Sequence, residues 1–301
     1  MDGKVLVVCG ATASGKTSLA IQCAKRFNGE IISADALLVY KGLNIGTAKP
    51  SVVERDGIPH YMIDVVSPFD SFSVSDYQRL ALPIVEKLLS EGKTPIICGG
   101  TGFYIQSLLY ESQFGGAGAD GNVRKKYENL CEEHGVQYVH DLLREVDEES
   151  ANKLHANDVK RVIRALEIYE VTGKPKSLQN DKQIPRFPFV AISIEHERET
   201  LYARINARVQ QMFVDGLMEE VQNLLQSGVP ATAQCMQGIG YKEIVEGMQT
   251  GASVQEMIEI IQKNTRNYAK RQNTFFKRIQ NHYPLRPEEA TVGRVETLLN
   301  S

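Results

Sequence analysis

The chain has 301 residues, too many for one small core, and its 42% hydrophobic and 24% charged content is that of an ordinary globular protein. A formal net charge of −3 excludes a global pull toward nucleic acid, so any nucleic-acid surface must be a local patch. There is no apolar run of membrane-span length and no basic signal-peptide start, so no membrane partner is expected. The five cysteines, Cys9, Cys23, Cys98, Cys131 and Cys235, form no C-x-x-C pair, which points to a reducing cytoplasm. The six histidines show no metal-ligand spacing, and no zinc site is expected.

The first predicted element is an apolar strand, Lys4 to Cys9. It runs into Gly10-Ala11-Thr12-Ala13-Ser14-Gly15-Lys16-Thr17, the G-x-x-x-x-G-K-[ST] phosphate-binding loop. Its glycines let backbone N–H groups converge on an anion, Lys16 adds a positive charge, and Thr17 offers a hydroxyl to Mg²⁺. A helix is predicted from Ser18 to Phe27, a strand over Glu30–Ser33 and a third strand over His60–Val66. Then come a helix over Val74–Ser90, a strand over Thr94–Cys98 and a helix over Gly102–Tyr110. This rhythm predicts a parallel sheet with helices on both faces, whose ligands bind beyond the carboxyl ends of the strands. Gly10 to Thr17, Asp35 and Thr101 all follow such ends.

The rhythm breaks near Gln113, where Gly115 to Gly121 reads as a flexible hinge. Residues 122–183 read as all helix, and Pro185 to Ile194 returns as a strand. The predicted architecture is therefore α/β. A P-loop core with a mostly parallel sheet spans 1–112 and 187–301, and an all-helical insertion domain spans 113–186. Helices follow at 198–214 and 216–226, then a loop around Pro230. A long helix is expected from Val254 to about His282, with Val254, Met257, Ile261, Tyr268, Phe275 and Ile279 near a 3.6-residue period.

Asp35 reads as a turn or cap residue, or as a carboxylate facing the phosphate loop that takes a proton or holds Mg²⁺ through water. Gly99-Gly100-Thr101-Gly102 makes a second anion-accepting turn where a nucleotide hydrolase would often place an acidic metal ligand. The long helix carries Lys263, Arg266, Lys270, Arg271, Lys277 and Arg278 with no acidic residue among them, interleaved with Tyr268, Phe275 and Phe276. Such a run is often only a solvated face; here, with a second cluster at Lys160, Arg161 and Arg164, it suggests a polyanion contacting both domains. The loop alone leaves open whether phosphate is transferred, hydrolysed or merely leaves. A nucleoside or nucleotide kinase explains the loop and hinge but not the basic helix. A nucleotide-gated RNA-binding module is a further alternative, although the N-K-x-D motif of Ras-type GTPases is absent.

Further motifs follow the loop. They are Ser33-Ala34-Asp35, Tyr40-Lys41-Gly42, Ile45-Gly46-Thr47-Ala48-Lys49-Pro50 and Gly99-Gly100-Thr101-Gly102. After them come His155-Ala156-Asn157-Asp158, Arg161, Arg164-Ala165-Leu166-Glu167, Gly238-Ile239-Gly240-Tyr241 and Ala269-Lys270-Arg271-Gln272. Over nearly the whole chain this series resembles the tRNA dimethylallyltransferases (tRNA isopentenyltransferases), and the lack of a zinc-finger extension suggests the shorter bacterial type. The resemblance implies transfer of a dimethylallyl group from dimethylallyl diphosphate to N6 of an adenosine adjacent to the anticodon of tRNA. The P-loop would then hold a leaving diphosphate rather than ATP. Gly10, Ala11, Thr12, Ala13, Ser14, Gly15, Lys16 and Thr17 would bind it, Thr17 with Mg²⁺. Asp35, Thr101 and Arg208 would be catalytic. The anticodon arm would meet Asp35, Ala36, Leu37, Leu38, Arg124, Lys160, Arg161 and Arg164. It would also meet Gln237, Gly238, Gly240, Tyr241, Lys242, Lys270, Arg271, Gln272, Phe275, Phe276 and Lys277. The target base would be flipped out of its stack. Ala11 replaces a common proline, Ala36 a common serine, and Phe275-Phe276 stands where a tryptophan is common, in a chain that has none. A monomer is expected.

Overall fold

A computed structural model describes residues 3–111, 120–178 and 183–301. The chain divides into two compact units, Met1–Leu109 with Pro185–Ser301, and Tyr110–Ile184.

The first unit is built on a parallel sheet of six strands. In chain order these are β1 (Val5–Cys9), β2 (Gly29–Ser33), β3 (His60–Tyr61), β4 (Thr94–Gly99), β5 (Phe189–Ile194) and β6 (His282–Leu285). Across the sheet they run β3-β2-β4-β1-β5-β6. Every residue of β1, β2, β4 and β5 is buried, as expected of a parallel sheet covered on both faces. The helices are α1 (Lys16–Arg26), α2 (Val74–Ser90), α3 (Gly102–Leu109), α8 (Arg198–Val214), α9 (Leu217–Gln226), α10 (Tyr241–Thr250), α11 (Val254–Phe276) and α12 (Val292–Asn300). On one face, Leu19, Cys23 and Phe27 of the α1 segment and Val295, Leu298 and Leu299 of α12 close over Leu6, Val8, Ile31, Ile96 and Ile192.

The sheet departs from the sequence reading at both edges. The third strand is only His60–Tyr61, because Met62 (φ 61°) and Asp64 (φ 57°) take left-handed backbone that no strand continues. At the other edge, the long helix stops at Phe276, and the chain turns at Asn281 (φ 50°) into β6, a strand the sequence reading missed. α10 and α12 were also missed. The α11 start is well specified: Ser253 Oγ accepts from the Glu256 N–H at 3.3 Å, and the Glu256 carboxylate accepts from the Ser253 N–H at 2.7 Å.

The second unit is helical: α4 (Gly121–His134), α5 (Val136–Val146), α6 (Glu148–Lys153) and α7 (Val159–Thr172). Its core joins Tyr127, Val139, Leu143, Val162 and Leu166. Asp120 caps α4 by accepting from Asn122 and Val123 N–H at 2.9 and 3.2 Å. Of the glycine-rich hinge, 115–119 lies outside the described residues.

Candidate active site

The loop between β1 and α1 turns through Gly10 (φ 128°) and Gly15 (φ 96°), both in backbone that favours glycine, and Ala13 (φ 62°) shares the left-handed region. The neighbouring elements grip it. Arg204 Nε of α8 donates to Ala13 O at 2.7 Å, and the His196 ring lies 2.9 Å from Ser14 O. Lys16 Nζ donates to Ala11 O at 3.2 Å. The first N–H groups of α1 have no helical acceptor, and its first two residues, Lys16 and Thr17, line the space beside the loop.

That space is a cavity of about 450 Å³ at the carboxyl ends of β1, β2 and β4. Thr12, Lys16 and Thr17 of the loop line it, with Asp35 to Leu38 after β2, Thr101 after β4, and Arg208 of α8. Asp35 Oδ1 accepts from the Leu37 and Leu38 N–H groups at 2.9 and 3.3 Å, a turn that fixes the carboxylate and leaves Oδ2 to a ligand. Thr101 Oγ1 accepts from the Ala36 N–H at 2.9 Å, and its own N–H donates to Ala34 O at 3.0 Å. Gly99 is required beside it, since a Cβ there would stand 2.1 Å from Ala34 O.

Burial holds the Lys16 ammonium below its ordinary pKa; Arg208 pushes it lower still, while Asp35 opposes. Burial likewise lowers Arg208, again opposed by Asp35. Two poorly solvated cations beside one carboxylate make an anion site whose strength comes from exclusion of water. Burial and the Asp35 charge push the Tyr268 phenol up to about 12 despite the Thr101 and Gln272 side chains, so it is a neutral donor at neutral pH. Burial pushes the Cys98 thiol up to about 11, so it stays protonated and is no nucleophile.

The cavity's apolar wall comes from one stripe of α8, namely Ile205, Val209 and Met212, with Ile261 of α11 facing the same space. The Ile45-to-Pro50 segment closes another side. Glu220 of α9 holds it by accepting from the Asn44 and Ile45 N–H groups at 2.8 Å each and from Gly46 N–H at 3.1 Å. Lys49, nearly buried, pairs with Asp64 and donates to Tyr40 O at 3.1 Å.

Of the sequence-predicted site residues, the cavity gathers Thr12, Lys16, Thr17, Asp35 to Leu38, Thr101, Arg208, Gln237, Gly238, Gly240, Arg271 and Gln272. Exposure sorts these and the remaining predicted residues. Phe276 and Tyr241 are buried, at 1% and 0% exposure, so neither ring can meet a polyanion. Phe276 belongs to the interior, and Tyr241 supports the segment around Gly46, whose Cβ would stand 2.6 Å from the ring. Gln272 is also buried, and its amide is engaged by the loop. Phe275 packs over Gly102 and meets Phe103 edge-on at 5.3 Å. Lys270, Arg271 and Lys277 are exposed along α11 and just beyond it, as is Lys242, 3.6 Å from Glu246. In the second unit, Lys160 and Arg161 are exposed, the latter 3.2 Å from Asp158. Arg124 and Arg164 both bind the buried Glu167, at 2.9 and 2.5 Å. Sequence reasoning missed Glu220 and the cavity-lining Met212, which follows Ile205 by seven residues and was legible only as a core position, and it read the cavity-lining Tyr268 as a periodic apolar position and an aromatic among the basic residues.

The family model described as IPP transferase matches residues 38–279. The tRNA dimethylallyltransferase of Acetivibrio thermocellus is 48% identical over 288 residues, covering 95% of this chain and 92% of the relative. The crystal structure of the full-length tRNA isopentenylpyrophosphate transferase of Bacillus halodurans superposes with a TM-score of 0.72 at 37% identity, covering 99% of this chain and 96% of that one. A eukaryotic dimethylallyltransferase, in crystallographic snapshots described as acting on tRNA, superposes with a TM-score of 0.81 at 29% identity, over 99% of this chain and 77% of that one. With the model spanning most of the chain and a relative this similar end to end, the chain belongs to the IPP transferase family.

Proposed function

We propose that this protein transfers a dimethylallyl group from dimethylallyl diphosphate to N6 of an adenosine adjacent to the anticodon of tRNA, releasing diphosphate. One observation carries the reading: Lys16, Thr17 and Arg208 face Asp35 and Thr101 across one cavity that continues into an apolar wall. That is a place for a charged leaving group, a proton acceptor and a small apolar group. The names of the relatives carry the same donor group and the same RNA.

An adenine amine is a poor nucleophile, so the allylic carbon must gain cationic character as its bond to the diphosphate oxygen breaks. The bonding pair leaves with that oxygen, and Lys16, Arg208 and the loop N–H groups stabilise the growing charge. N6 then bonds to the carbon, and its proton passes to Asp35 Oδ2. Thr101 and the 36–38 backbone orient the base beside it. The donor set suits Mg²⁺: Thr17 Oγ1 is a hard oxygen donor beside the diphosphate, and no group of three or more His, Cys, Asp or Glu forms a protein cage among the described residues. When bound, the cation neutralises diphosphate charge, and diphosphate and water would complete its shell. Lys270, Arg271 and Lys277, with Lys160 and Arg161 of the second unit, would take RNA phosphates. No helix among the described residues is long and apolar enough to cross a membrane.

The test is incubation with dimethylallyl diphosphate and unmodified tRNA, followed by mass spectrometry of the nucleosides. A prenylated adenosine is expected. ATP consumption with no prenyl product would support a kinase instead.

A further inference from the structure

Gln272 stands on α11 between the two turns that face the anion end of the cavity. It is 5% exposed, and both ends of its amide are engaged by backbone. Oε1 accepts from the Thr12 N–H at 3.0 Å, and Nε2 donates to the Gly100 carbonyl at 2.9 Å. One side chain thus ties the phosphate loop after β1 to the turn after β4. Gly100 is part of the device, since a Cβ there would stand 2.2 Å from Nε2. The Thr12 N–H, being committed, is not among the amides offered to an anion. Its bond instead sets where the first half of the loop stands, and hence the direction of the N–H groups that follow. Lys270 and Arg271, the preceding residues, are exposed, Arg271 at the rim of the same cavity.

We infer that Gln272 is a positioning residue for the donor's diphosphate, acting through Thr12 and Gly100, and not a contact to RNA. The inference rests on the transferase reading for its substrate but not for its test, which uses inorganic diphosphate as probe. Gln272→Met keeps length and burial while removing both hydrogen bonds. Calorimetry should show diphosphate binding weakened roughly ten- to a hundredfold, the usual sensitivity of a preorganised site to small misplacement. In steady state the KM for donor should rise and kcat fall, with the dissociation constant for tRNA within about twofold of wild type. Gly100→Ala breaks the same bridge from its other end. A double variant should be no worse than the worse single one, because interactions that act through one bridge are not additive. Should Gln272→Met fail to fold, Gly100→Ala alone carries the same expectation. Unchanged diphosphate binding in a folded Gln272→Met protein, or loss confined to tRNA affinity, overturns the inference. A wild-type protein that binds diphosphate yet forms no prenylated RNA sinks the transferase reading and leaves the role of Gln272 to be decided by the binding data.

Discussion

The Tyr241 hydroxyl donates to Glu220 Oε1 at 2.7 Å, and the same carboxylate accepts from the backbone of Asn44, Ile45 and Gly46. One acidic side chain on α9 therefore joins the Ile45-to-Pro50 segment to the start of α10. Burial and the Glu220 charge hold the Tyr241 phenol far above its ordinary pKa, so it remains a donor at any working pH. Glu220→Gln would turn an amide NH₂ toward backbone donors. It should cost about 1–3 kcal/mol, the usual worth of hydrogen bonds to a charged group. Denaturant unfolding measures it; a midpoint within error of wild type would show that the segment is held by other contacts.

Asp35→Asn is expected to lower turnover by roughly 10²–10⁴-fold while leaving diphosphate and tRNA binding intact. The asparagine carbonyl can still accept from Leu37 and Leu38, so the turn survives and only the proton acceptor is lost. Near-normal single-turnover rates would remove Asp35 from the catalytic set.

Lys16 and Arg208 share the anion end, and charge that grows as diphosphate leaves is bound more tightly in the transition state than in the ground state. Lys16→Ala and Arg208→Ala should each reduce kcat as well as donor affinity. A rise in donor KM with kcat unchanged would mean that they bind the donor and do no more.

Neutralising a phosphate contact on α11 should flatten the salt dependence of tRNA binding by about one unit of slope. Affinities of Arg271→Ala and Lys277→Ala at several salt concentrations test this, with diphosphate binding expected to be unchanged. An unmoved slope in both would shift the RNA surface to the second unit.

In that unit, burial raises the Glu167 carboxyl, but the Arg164 and Arg124 hydrogen bonds and the Asp120 N–H together hold it below its ordinary 4.5. A depressed folded pKa contributes stability above the unfolded pKa and loses it as pH falls through the folded value. The helical unit should therefore weaken below about pH 4.5. Glu167→Ala should remove that component of the acid transition and cost about 1–3 kcal/mol, the usual worth of hydrogen bonds to a charged group, since both arginines are partly exposed to water. Unfolding followed at several acidic pH values reads both.

Local pattern was enough for the P-loop, the alternation of strands and helices, and the motif series that marked the family. These signals depend on backbone conformation and on side-chain periodicity within a few residues, which the chain carries in its order. Asp35 and Thr101 were legible because parallel sheets place strand ends together. The edges of the sheet were not. β3 is cut short by left-handed residues at 62 and 64, and β6 is a four-residue strand whose pairing partner lies some ninety positions earlier. Nor was the burial of Tyr241, Gln272 and Phe276 legible, because a motif says that a residue type recurs and not which way it faces. Gln272 reaches Thr12 across 260 positions and Glu220 reaches Asn44 across 176. Such bonds exist only after the sheet has brought distant turns within hydrogen-bonding distance, so tertiary packing alone decided them.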